Sequence, residues 1–112
     1  MTTQLDLSLL EELSEVMGDD MAMLVDSYFE DSVPKILSLV EMDLHTQQDA
    51  IYKLAHNLKG SSRNLGAIEL SDYFAEVENF AKAGKLTSKD FDAVQINKLF
   101  ENTRQALSDK FL

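Results

Sequence analysis

The sequence predicts an all-α fold, an antiparallel up-down four-helix bundle with a short additional N-terminal helix. Of 112 residues, 45% are hydrophobic, yet one is Pro and four are Gly, too little turn chemistry for a many-stranded protein. Apolar residues recur at helical spacing in successive segments, with no strand-like alternation. The segments are joined by short connections, which favour antiparallel packing of sequential helices. With no repeat, low-complexity tract or dividing linker, residues 1–112 read as a single domain.

Each element has its own justification. Leu5, Leu9, Leu10, Leu13, Val16 and Met17 define a short first helix, with Asp6 or Ser8 as N-cap and Gly18 as stop. Asp19 or Asp20 then opens a long second helix whose apolar stripe runs from Met21 through Val25, Phe29, Ile36 and Leu37 to Leu44. Pro34 interrupts it, but the stripe continues in phase, so a kinked single helix is expected. Met17, Met21 and Met23 are read as core filling. Thr46 and Asp49 form a weak capping pair before a third helix from about Gln47 to Leu65, closed by Gly66. Ile68, Leu70, Tyr73, Phe74, Val77, Phe80 and Ala81 make a fourth, ending at Gly84. Thr87 or Ser88 with Asp90 is expected to cap a fifth, carrying Phe91, Val94, Leu99, Phe100, Leu107 and Phe111.

Composition narrows the function. A formal charge of −10 opposes binding to nucleic acid or an anionic membrane. The absence of Cys removes disulfides, Cys-based zinc sites and thiol catalysis, and fits a reducing compartment. No apolar run reaches membrane-span length and no signal-like segment follows Met1, so a cytoplasmic, monomeric, free-standing protein is expected. The charge is also uneven. Residues 50–68 hold no Asp or Glu but do hold Lys53, Lys59 and Arg63, a basic island around His56.

The third helix carries the chemistry. At about 100° per residue, Ile51, Leu54, Ala55, Leu58, Ser61, Ser62 and Leu65 share one face, and Tyr52, Lys53, His56, Lys59, Gly60 and Arg63 the other. A solvent-facing neutral imidazole is a nucleophile near neutral pH, and phosphoryl groups suit it as electrophiles. Lys59, one turn on, is placed to neutralise a phosphoryl group at His56, with Arg63, Ser61 and Asn57 at the margins. Gly within a helix costs about 0.5–1 kcal/mol relative to Ala, so Gly60 reads as space cleared for an approaching partner. His45 has no such setting and reads as an ordinary surface histidine. A metal site is disfavoured by the cations beside His56 and by the absence of His-x-x-x-His or His-Glu-x-x-His spacing. No Gly-x-Ser-x-Gly elbow, phosphate-binding loop or kinase signature is present.

The run His56-Asn57-Leu58-Lys59-Gly60-Ser61-Ser62, followed by Leu65-Gly66-Ala67, resembles the signature of histidine-containing phosphotransfer (HPt) domains, with Phe29, Leu70 and Glu78 extending the similarity along most of the chain. The resemblance implies that His56 accepts a phosphoryl group from a receiver-domain aspartate and passes it to another receiver. It implies Lys59 as charge partner, Gly60 as docking clearance and Ser61 as a hydrogen-bonding aid. The chain is then a phosphocarrier and not a turnover enzyme, without a cofactor of its own. Mg²⁺ is expected in the receiver, and the partners are response-regulator receivers and a hybrid sensor histidine kinase. The alternative is a helical interaction module that binds receiver or kinase domains without being phosphorylated.

Overall fold

Helix α1 spans Leu7–Met17, α2 Met21–Glu41, α3 Gln48–Asn64, α4 Ile68–Lys82 and α5 Ala93–Phe111, in a computed structural model that describes residues 4–87 and 91–112. A 3-10 turn over Gly18–Asp20 links α1 to α2. Among the described residues there is no sheet, only an isolated antiparallel bridge between Leu5 and Ala67. Helix α2 packs on α3 and α5, α3 lies along α4, and α5 closes against α4, so four long helices form a ring of sequential neighbours. Helix α1 rests on the start of α2.

The shared interior is built from the predicted stripes. Val25, Leu39, Ile51, Ala55, Leu58, Leu70, Phe74, Val77, Ile96 and Leu107 are all fully buried. Each large apolar side chain withdrawn from water contributes about 1.5–3 kcal/mol. Ser62, on the same face of α3 as these residues, is buried and shares a 2.8 Å hydrogen bond with the Tyr28 hydroxyl of α2. Burial pushes the Tyr28 phenol up, with the Ser62 bond opposing it. This buried polar contact ties α2 to α3.

Several helix ends differ from the sequence expectation. Asp6 does cap α1, its carboxylate accepting from the Leu9 amide, and Gly18 ends it at φ +54°. Helix α2 runs through Pro34 as one helix, but it starts from the 3-10 turn with no side-chain cap from Asp20 and stops at Glu41, short of Leu44. The stop is enforced by Asp43, whose carboxylate accepts from the amides of His45 and Thr46 and folds the connection into a turn. Thr46 and Asp49 make no cap; α3 opens at Gln47 without one. Helix α5 begins at Ala93, and its cap is Asp92, accepting from the Val94 amide. Of the caps expected there, Ser88 and Asp90 lie outside the described residues, and the Thr87 carbonyl accepts from the Phe91 amide. Val16, Leu37, Phe80 and Val94 are exposed despite their place in apolar stripes, and Met23, expected to fill the core, is exposed as well.

The N-terminal segment is tied to the turn between α3 and α4. The Asp6 amide donates to the Gly66 carbonyl at 2.9 Å. Gly66 has φ +69°, and a Cβ there would lie 3.1 Å from the Asp6 carbonyl oxygen. Only glycine allows both the turn and this close approach. The end of α3 is thereby held, and His56 stands on a helix anchored at its C-terminal end.

Candidate functional site

His56 occupies the middle of α3, on the side that faces α4. The Leu58 and Ala55 side chains buried beneath it hold the helix against the core, while its own imidazole points out. The His56 side chain is 64% exposed, whereas those of Lys59 and Glu78 are 24% and 11% exposed. An open imidazole is thus backed by a sheltered charge pair.

Glu78 of α4 organises the site. Its Oε1 lies 2.7 Å from His56 Nδ1 and its Oε2 lies 2.6 Å from Lys59 Nζ. Burial alone raises the carboxyl, but hydrogen bonds and charge from Lys59 and His56 outweigh it and hold Glu78 below the usual carboxylate range. Near neutral pH it is therefore an ionised acceptor. His56 Nδ1 must then be the donor, which leaves the lone pair of the neutral ring on Nε2, the nitrogen farther from the backbone. The Tyr52 ring lies one turn before, its centroid 6.5 Å from that of His56, and Lys82 Nζ sits 5.9 Å from the Tyr52 centroid.

The other residues singled out in the sequence distribute around this pair. A Cβ at Gly60 would meet nothing within 4 Å, so no internal packing demands glycine there. Asn57 turns toward α2, its Oδ1 accepting from Lys35 Nζ at 2.6 Å. Ser61 donates to the Leu58 carbonyl and lines a groove between α1, α2 and α3, with Leu13, Met17 and Leu24, so it faces away from His56. Arg63 is exposed and borders a small polar pocket with Asp6 and Asp72, beyond the site. Lys53 is exposed and paired with Asp49 at 3.1 Å. The structure therefore brings together His56, Lys59 and Glu78, with Asn57 and Gly60 beside them, and leaves Ser61, Arg63 and Lys53 outside.

Glu78 and Lys35 escape the sequence reading as site residues. Glu78 has a signal: it lies among Phe74, Val77 and Ala81 on the inward stripe of α4, and a carboxylate there requires partners. Lys35 has none, because only tertiary packing carries it from α2 to α3. Among the described residues no group of three or more His, Cys, Asp or Glu side chains is arranged to hold a metal ion, and no helix is long and apolar enough to cross a membrane.

Comparison with known proteins follows the same line. The model of the Hpt domain family matches residues 8–106. The crystal structure of histidine-containing phosphotransfer protein B (HptB) from Pseudomonas aeruginosa PAO1 is similar with a TM-score of 0.88 at 30% sequence identity, over 99% of this chain and 96% of that one. No match was found among curated proteins.

Proposed function

This chain belongs to the Hpt domain family, and we propose that it carries the phosphoryl group of its two-component relay on Nε2 of His56. An Hpt domain is a phosphocarrier intermediate and not an enzyme with an ATP site of its own. The observation that supports His56 is the 2.7 Å contact between its Nδ1 and the ionised Glu78, which in the neutral tautomer puts the lone pair on Nε2 of an exposed ring.

In this reading the Nε2 lone pair attacks the phosphorus of an aspartyl phosphate on a receiver domain. The phosphorus–oxygen bond to the aspartate breaks, and the aspartate departs as a carboxylate. The ring gains positive charge as the nitrogen–phosphorus bond forms, and Glu78, still accepting from Nδ1–H, compensates that charge. Lys59 sits one turn from His56 with its ammonium held at Glu78, close enough to swing toward the phosphoryl oxygens without leaving the site. The return step reverses these bonds when a second receiver presents its aspartate. Mg²⁺ belongs to the receiver in this scheme; this chain supplies the nucleophile, its orientation and one cation. Gly60 gives the receiver room beside His56.

The test is transfer of labelled phosphate from a phosphorylated receiver domain. Wild type should acquire acid-labile, base-stable label and His56→Gln should acquire none. Label retained by the His56 variant would overturn the assignment.

A further inference from the structure

Resting on His56 as the phosphoryl acceptor, we infer that Lys35 of α2 is a specificity-determining residue, which holds Asn57 and forms with it a hydrogen-bond-donor rim that meets the anionic, phosphoryl-bearing surface of the partner. Lys35 Nζ lies 2.6 Å from Asn57 Oδ1 and 2.8 Å from Asp31 Oδ2. Asn57 directly follows His56, about 100° around the helix, so the two side chains diverge, His56 toward Glu78 on α4 and Asn57 toward α2. Lys59 stands on the same helix as His56, and Lys35 reaches that helix from α2 through Asn57.

The two lysines are not equivalent. Lys59 is sheltered and bound to a carboxylate that also touches the reacting ring. Lys35 touches neither His56 nor Glu78; its partners are an exposed amide and an exposed carboxylate. Because the ammonium occupies the amide oxygen of the exposed Asn57, the group this amide has left to offer a partner is its NH₂, which can only donate. The Asp31–Lys35 pair is a surface i,i+4 pair, which contributes little and yields readily to a competing anion. An aspartyl phosphate arrives with its negative charge on the phosphoryl oxygens, onto a stretch of α3 that has no Asp or Glu between residues 50 and 68. Rim charges of this kind act on encounter and register more than on the chemical step.

The experiment follows transfer from an isolated receiver domain charged with acetyl phosphate, at low and high ionic strength, for wild type, Lys35→Gln and Asp31→Asn. At low salt Lys35→Gln should raise the KM for the phosphorylated receiver about fivefold, the scale of one exposed ion pair. Its maximal rate and the lifetime of its phosphohistidine should equal those of wild type, and the KM difference should shrink as salt screens the rim. Asp31→Asn, which removes the competing carboxylate, should lower KM. An unchanged KM for Lys35→Gln, a rise in KM for both variants alike, or a shortened phosphohistidine lifetime in Lys35→Gln would each overturn the inference; the second would make the triad a structural tie. A wild type that takes no label would overturn the His56 reading and this inference with it.

Discussion

Glu78 shows how much a single side chain decides. A lone imidazole on a helix surface has two equivalent chances to protonate; a carboxylate 2.7 Å from one nitrogen selects the tautomer and aims the other nitrogen outward. Glu78→Gln keeps an acceptor near Nδ1 but removes the charge that offsets the developing imidazolium. We expect it to slow transfer by about tenfold, the scale of loss when the carboxylate that orients a metal-bound imidazole is altered, with His56 still labelled at long times. Equal rates in a rapid-quench measurement would show that Nδ1 needs no charge behind it. The sequence shows Glu78 on the inward stripe of α4, but pairing it with His56 requires knowing that α4 lies along α3. His56, Lys59 and Gly60 are legible because they share one face of one helix, where spacing alone places them together.

At the scale of the helix, two neighbouring glycines have opposite meanings. Gly60 has helical geometry and open space at its Cβ position. Gly60→Ala should therefore stabilise the protein by about 0.5–1 kcal/mol, seen as a higher urea midpoint, while Gly60→Gln should keep that stability and lose transfer to receivers. Gly66 has φ +69° and the Asp6 backbone against it. Gly66→Ala should cost about 1–2 kcal/mol from the left-handed backbone alone, and more from the contact with Asp6, lowering the midpoint. If both variants shifted the midpoint in the same direction, the distinction between cleared space and required geometry would fail. Helix number and phase are legible in the sequence because apolar spacing sets them. Helix ends are less so, since Asp92 and Asp43 win their capping and turn roles through local geometry that several nearby polar residues could equally supply on paper.

For the molecule as a whole, the site charges couple to folding. The Glu78 carboxyl is lowered from its reference value of 4.5 in the folded protein. A lowered folded-state value means that the unfolded chain binds this proton more readily, so the stabilisation is present above about 4.5 and disappears as pH falls through the folded-state value. Urea midpoints measured between pH 7 and pH 3 should fall for wild type, and Glu78→Gln should show a shallower fall. Parallel curves would mean that other carboxylates account for the acid sensitivity. The expected four-helix bundle with a short additional N-terminal helix agrees with the structure because short connections leave sequential helices few other places to go.

The arrangement of α3 beside α4 also separates two tasks that evolution or design can treat independently. His56, Lys59 and Glu78 all belong to one helical hairpin, Gln48 to Lys82, whose internal contacts place one carboxylate on both the His56 Nδ1 and the Lys59 ammonium. Helix α2 contributes to the same surface only from its margin, through Lys35. On the proposed reading, the hairpin is a cassette for the bond-making atoms, and the outward face of α2 is a dial beside it, to be turned toward one receiver or another.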